Sequence, residues 1–204
     1  MYFPYWFCSI LLVFSTAYAQ TNTLCLNMIV RDESDVILRS LSSVIDLIDY
    51  WVIVDTGSRD DTIDKICTFF EDIPGELHER PLKNFGANRS EAFLLAQGKA
   101  DYILFMDADD VLEFEETKVF SSLKQDCYHL WRGQEGFSYL TPQIVKGNLD
   151  WKWIGVTHEY LDCAYPYTSE ILDGVRYVTK EGGACSKHPT QKFLRNIQLL
   201  EKDL

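Results

Sequence analysis

The sequence is short of positive charge. Its 19 Lys and Arg stand against 31 Asp and Glu, a formal net charge of -12 with a pI near 4.7. Such a surface repels a polyphosphate backbone, which argues against nucleic acid as a partner. Six cysteines occur, Cys8, Cys25, Cys67, Cys127, Cys163 and Cys185, and no pair has Cys-x-x-Cys spacing. A zinc site is therefore not expected. No Gly-x-Ser-x-Gly or similar setting for a covalent nucleophile occurs. There is no internal repeat and no low-complexity linker.

One long uncharged run exists, from Tyr2 to Ala19. Its apolar part, Phe7 to Phe14, precedes Ala17-Tyr18-Ala19 and Gln20, the pattern of a secretory signal peptide. A run of about 18 uncharged residues can also just span a bilayer. Residues 1–19 thus read as a signal peptide, the preferred reading, or as a signal anchor. The first places the chain in the secretory pathway or cell envelope. The second adds membrane association and allows a cytosolic catalytic domain. Cys25 and Cys67 sit in apolar patterns and read as buried thiols. Cys163 and Cys185 are the candidate disulfide in an oxidising compartment.

The 204 residues are 47% hydrophobic and 25% charged, as in a globular domain with a sizeable core. Leu24 to Val30 is a continuous apolar strand closed by the polar turn Arg31-Asp32-Glu33-Ser34. Apolar residues then recur at helical spacing from Val36 to Ile48. Tyr50 to Val54 is a second strand, ended by Asp55-Thr56-Gly57-Ser58-Arg59-Asp60-Asp61-Thr62 and followed by a helix through Ile63, Ile66 and Phe70. A β-α-β-α succession predicts a parallel sheet with right-handed crossovers, hence an α/β fold. Glu76 to Arg80 is a weak third strand, with loop an equal alternative. Asn84 to Arg89 is a loop before a predicted helix, Ser90 to Gln97, stopped by Gly98.

Tyr102 to Met106 is the strand on which the chain turns. It runs straight into Asp107-Ala108-Asp109-Asp110, three carboxylates in four residues. In open α/β sheets ligands sit at this carboxyl edge. Asp107 and Asp109 are two apart, so on extended chain they point the same way. Such a pair can hold a hard divalent cation, which in turn holds a diphosphate. A strand end or a helix cap is the plain alternative for a motif this short. A charged helix is predicted from Glu113 to Lys124.

After Cys127 the character changes to aromatic-rich segments. Tyr128 to Arg132 and Phe137 to Leu140 read as antiparallel strands, and Ile171 to Thr179 as a strand or a hairpin across Asp173-Gly174. Trp151 and Trp153 either stack on a sugar ring or pack in the core. Gln191 to Asp203 reads as an amphipathic helix with Phe193, Leu194, Ile197 and Leu200 on one face. His78, His129 and His188 show no ligand spacing.

Taken in order, Arg31-Asp32-Glu33, the Asp55 to Thr62 turn, Asn84-Phe85-Gly86-Ala87-Asn88-Arg89-Ser90, Asp107-Ala108-Asp109-Asp110 and His158-Glu159 resemble a family 2 glycosyltransferase of the GT-A fold. The resemblance covers roughly residues 23–204, divided into a nucleotide-sugar half (23–126) and an acceptor-side half (127–204). Lys187 to Leu204 is similar to the end of the catalytic domain in members that continue into helical repeats. Arg31-Asp32-Glu33 departs from the Lys-Asn-Glu often found at the first turn.

The resemblance implies a mostly parallel GT-A sheet, a nucleotide-sugar donor, usually UDP-linked, a Mn²⁺ or Mg²⁺ ion, and inversion by single displacement. Asp55 would bind the base, Arg89 would lie beside the nucleotide, and Asp107 would face the ribose. Asp109 would ligate the metal, with His158 at the metal or diphosphate. Glu159 would be the general base, with Asp162 or Asp110 as substitutes, its proton affinity raised by the aromatic segment around it. The acceptor, whether glycan, lipid-linked or protein, is not implied.

Two other classes fit less well. A non-catalytic nucleotide-sugar- or glycan-binding module would share the fold. A nucleotidyltransferase would need a Gly-rich basic loop after the first strand, and Arg31-Asp32-Glu33-Ser34 is not one. The leader raises a compartment question, because nucleotide sugars are made in the cytosol. A lumen supplied with donor, an anchor leaving the domain cytosolic, and a misassigned start each answer it.

Overall fold

The computed structural model describes residues 21–134, 136–184 and 189–202. The leader, residues 1–19, lies outside them, as do Cys185, and with it the Cys163–Cys185 pairing, and His188.

Four parallel strands form one half of an eight-stranded sheet: β1 (Leu24–Val30), β2 (Tyr50–Asp55), β3 (Gly75–Glu79) and β4 (Tyr102–Phe105). The helices α1 (Ile37–Ser42), α2 (Thr62–Phe69) and α3 (Phe85–Ala96) make the crossovers. β1 is buried on both faces, as its unbroken apolar run requires. Leu24, Leu26, Met28 and Val30 pack with α1 and α2 residues such as Ile37, Leu41 and Ile66. Cys25 faces the opposite layer with Phe93, Ala96, Ile103 and Val145. Each fully buried Leu or Ile contributes roughly 1.5–3 kcal/mol. Asn27, buried within β1, ties the strand to α3 by donating to the Ala92 carbonyl at 2.9 Å.

The sheet order is β3-β2-β1-β4, then β7 (Phe137–Lys146), β6 (Cys127–Gln134), β10 (Ser169–Val178) and β5 (Val111–Phe114). The chain builds outward from β1 to β3, then returns to place β4 on the other side of β1. The gap between β1 and β4 is therefore a topological switch point, where the turns after both strands splay apart and leave a crevice.

The second half is mixed. β6 (Cys127–Gln134) and β7 (Phe137–Lys146) form a long antiparallel hairpin, and β7 pairs antiparallel with β4. β10 (Ser169–Val178) runs parallel to β6, with an irregularity between Ile171 and Arg176. β8 (Trp151–Ile154) and β9 (Tyr160–Cys163) make a separate two-stranded sheet. The last helix is α4 (Pro189–Lys202).

The structure departs from the sequence expectations at three places. The predicted 113–124 helix is instead β5 (Val111–Phe114) and a 3-10 turn (Thr117–Ser122). β10 offers an open edge there, and Val111 and Leu112 gain burial by pairing with Val178 and Tyr177. The α3 helix begins five residues early, at Phe85, because the Asn84 side chain caps it by accepting from Ala87 N at 2.7 Å. Cys67 is exposed on α2, while Cys25 is buried as expected. Trp151 takes the core alternative, as one of the two readings expected, its indole N–H donating to the Lys146 carbonyl at 3.1 Å.

Candidate functional site

A cleft of about 1390 Å³ opens at the switch point. Ile29 to Glu33 at the carboxyl end of β1 and Phe105 to Asp110 at that of β4 line it. Tyr139, Thr141 and Gln143 of β7, the Thr157-His158-Glu159 turn and Tyr177 of β10 complete it.

Glu159 reaches this cleft through a tight packing of two backbones. Gly86, in the first turn of α3, lies so close to Gly155 that a Cβ would fall 2.2 Å from the Gly155 carbonyl oxygen. Gly155 itself has φ 111, a left-handed value suited to glycine. Ser90 clamps the same contact, accepting from Trp153 N at 2.9 Å. The turn is thereby held on α3, and Arg89 of α3 donates Nε to Glu159 Oε1 at 2.7 Å. Glu159 is thus an ion-pair partner, with its side chain largely removed from solvent. Trp153 lies beneath the Arg89 guanidinium, 5.3 Å from its ring centre.

Arg89 also pairs with Asp107 Oδ1. Asp107 Oδ2 accepts from Arg132 Nη2 of β6 at 2.6 Å, and the same Arg132 nitrogen donates to Asp110 Oδ2 at 2.7 Å. A continuous chain of ion pairs results: Glu159, Arg89, Asp107, Arg132, Asp110. Tyr177 supports it from below. Its ring lies 4.8 Å under the Arg132 guanidinium, and its hydroxyl accepts from Asp107 N at 2.5 Å.

The electrostatics follow from this wiring. Burial alone would raise the Asp107 carboxyl, but the Arg89 and Arg132 charges override it and hold Asp107 well below the usual range. Asp110 is fully buried, and its one cation is shared with Asp107. Burial, partly opposed by Arg132 and reinforced by the neighbouring Asp107 and Asp109, pushes it up to about 7. Two carboxylates three residues apart are therefore driven in opposite directions.

Asp109 is half-exposed in the cleft wall. Arg39 fixes its backbone by donating to its carbonyl at 2.8 Å. Gly183 lies against its carboxylate, where a Cβ would come within 2.4 Å of Oδ2. His158 lines the cleft with an exposed side chain and φ 57. Asp32, with φ 55, is the other described non-glycine residue in the left-handed region, and it lines the same cleft. Such backbone costs of order 1–3 kcal/mol and persists where surrounding structure enforces it, often at functional sites.

Asp55 is placed differently. It is buried, and its carboxylate folds back on its own turn, accepting from Gly57 N at 2.8 Å and Ser58 Oγ at 2.5 Å. Thr56 and Arg59 from that turn line the cleft, while Asp55 does not. Glu159, Arg89, Asp107, Asp109 and His158 all do.

Sequence reasoning missed Arg132 and Tyr177 and ranked Asp110 only as a substitute base. No local signal marks Arg132 or Tyr177, which arrive by strand pairing from distant segments. Among the described residues, four buried side-chain polar atoms lack a hydrogen-bond partner: Asp110 Oδ1, Arg132 Nε, Trp153 Nε1 and Asn196 Oδ1. All four belong to residues lining the cleft. Buried polar groups are nearly always paired, so their concentration here is the mark of a ligand site.

Also among the described residues, no three His, Cys, Asp or Glu side chains are grouped to hold a metal ion. The donor set at Asp109 is nonetheless that of a hard cation. Mg²⁺ typically takes one or two protein carboxylates and completes its shell with substrate phosphates and water. Asp109 at the mouth of a cleft fits that kind of site.

Comparison with known proteins agrees with this architecture. The family described as "Glycosyl transferase family 2" matches residues 25–126. A TPR repeat-containing protein of Synechococcus elongatus is 42% identical over 99 residues, 48% of this chain and 23% of that protein. The crystal structure of S. aureus TarS 1-349 in complex with UDP-GlcNAc superposes with a TM-score of 0.63 at 16% identity, covering 81% of this chain and 60% of that one. The same protein in complex with UDP gives 0.56 at 16% identity, covering 73% and 60%. The shared architecture is the GT-A fold, a mostly parallel sheet with a small antiparallel one beside it. The chain thus spans less than two thirds of the length of each of these relatives.

Proposed function

The chain belongs to glycosyl transferase family 2, and on that premise we propose that it transfers a sugar from a nucleotide-sugar donor, UDP-linked, to an acceptor hydroxyl with inversion. The observation that carries this reading is the ion-paired chain from Glu159 to Asp110. It joins a carboxylate on the acceptor side of the cleft to the Asp107-x-Asp109 turn on the crossover side.

In this mechanism the nucleotide lies over the turns after β1 and β2. Thr56 and Arg59 face it, and Asp55 holds their turn in shape through its bonds to Gly57 and Ser58. Arg89 lies beside the diphosphate, and Asp107, saturated by two guanidiniums, orients Arg89 and the ribose side of the donor. Asp109 would hold Mn²⁺ or Mg²⁺, with His158 at the same edge; the ion supplies Lewis-acid stabilisation of the leaving diphosphate. Glu159 takes the proton from the acceptor hydroxyl as its oxygen bonds to the anomeric carbon. The bond from that carbon to the diphosphate breaks in the same displacement, so no covalent sugar–enzyme species forms. Arg89 fixes the direction in which the Glu159 carboxylate points.

The test is a donor screen on the full chain. Nucleoside diphosphate release is followed from UDP- and GDP-sugars with Mn²⁺, Mg²⁺ or EDTA. Metal-dependent release from a UDP-sugar is the expected result. Donor-specific thermal stabilisation without release, with acceptors supplied, would support a binding module instead. Neither release nor stabilisation would reduce Asp107 and Asp109 to the end of a strand.

A further inference from the structure

The cleft is larger than one ligand needs. Single-ligand pockets run to about 1,000 Å³, and this one measures about 1390 Å³. Part of its lining comes from the β6–β7 hairpin. Side chains alternate along a strand, so Phe137, Tyr139 and Thr141 of β7 share one face, and Gln143 follows them at a bulge in the pairing with β6. Tyr139, Thr141 and Gln143 line the cleft, and Phe137 continues the row to the hairpin tip. Phe137 is 67% exposed and Tyr139 47% exposed, with ring centres 5.8 Å apart. Inward from them come a hydroxyl and an amide, and Arg132 of β6 lies across from Tyr139.

We propose that this row is the acceptor subsite and that the acceptor is a carbohydrate chain. The inference rests on the glycosyltransferase reading above. A pyranose offers C–H groups on its faces and hydroxyls around its edge. Aromatic faces are electron-rich and attract polarised C–H groups, and Thr141 and Gln143 can bond the hydroxyls. The order of side chains matches such a ligand, with two rings at the mouth and hydrogen-bonding groups toward the cleft. The seven strand residues from Phe137 to Gln143 span about 20 Å, longer than one sugar ring. A lipid tail would need a continuous apolar groove, whereas here the apolar strip stops after two rings.

Phe137 and Tyr139 are exposed, so replacing them leaves the core intact. The experiment titrates the full chain, with UDP and Mn²⁺ present, against cellotetraose, chitotetraose and mannotetraose by calorimetry or saturation-transfer NMR. At least one tetrasaccharide binds. Phe137→Ala and Tyr139→Ala each weaken it about 2- to 12-fold, the range for an aromatic contact. Phe137→Tyr restores the affinity, and UDP binding to Phe137→Ala stays within about twofold. Tetrasaccharide binding that ignores both alanine variants overturns the proposal. So does UDP binding with no tetrasaccharide binding, above all if phosphatidylglycerol vesicles or a mixed peptide library bind through Phe137 instead. Failure to bind UDP at all would break the transferase reading first and take this proposal with it.

Discussion

The two halves of the sheet solve different problems. β1, β2 and β4 are buried on both faces, and their chemistry is confined to the turns at their carboxyl ends. β6, β7 and β10 are only partly covered and carry exposed rings such as Trp131, Phe137 and Tyr139. The parallel half delivers acids to one edge by local rules. The mixed half delivers partners for those acids by long-range pairing. The ion-paired chain draws on both: Arg89, Asp107 and Asp110 come from the first, Glu159 and Arg132 from the second. The site therefore exists only where the halves meet. Charge neutralisation and subsite architecture are one structure, because burying Asp107 and Asp110 requires cations that the second half supplies.

That contrast can be broken experimentally. The largest expected effect is on the acceptor side. Glu159→Gln should lower turnover by about 10²–10⁴-fold with donor affinity largely kept. A variant with wild-type turnover, measured by nucleoside diphosphate release, would move the base elsewhere. On the other side, Asp109→Ala should cost about 10²–10³-fold in metal-dependent turnover with the fold intact by circular dichroism. Equal activity with metal and with EDTA would remove its metal role.

The seam itself is tested by stability. Arg132→Ala strips Asp110 of its cation and Asp107 of one of two, and should cost about 3 kcal/mol in urea unfolding. Arg59→Ala, from a turn within the first half alone, should cost under about 0.5 kcal/mol. Similar losses for both would deny that the seam is special.

The smallest effect is a pH dependence. Burial on folding raises the Asp110 pKa from its ordinary 3.8 to about 7. Its contribution is full below the unfolded value and is lost as pH rises through about 7. Asp110→Asn removes that penalty. The variant should therefore gain on the wild type by on the order of 2 kcal/mol between pH 4 and pH 8, read from denaturant midpoints. A difference that is flat with pH would mean that Asp110 is ionised throughout.

Legibility divides along the same seam. The strands β1, β2 and β4, their polar turns and the α/β class follow from unbroken apolar runs ending in acids, which is local information. β5 carries a local pattern that reads as helix, because its pairing partner, β10, lies more than fifty residues away. The α4 apolar stripe was legible as a pattern, but Phe193, Leu194, Ile197 and Leu200 stand exposed in the structure. Periodicity specifies which residues share a face and not what covers it.

By itself, the sequence determined the parallel half, the order of its motifs and the residue types available for chemistry, because strand burial and turn composition act between near neighbours. Tertiary structure alone decided which acids are paired. It turned Asp55 inward to its own turn, gave Asp107 two guanidiniums and left Asp110 sharing one of them. Coulomb interaction and desolvation depend on distance in space, and β6 and β10 bring Arg132 and Tyr177 to these carboxylates across separations that no local pattern records.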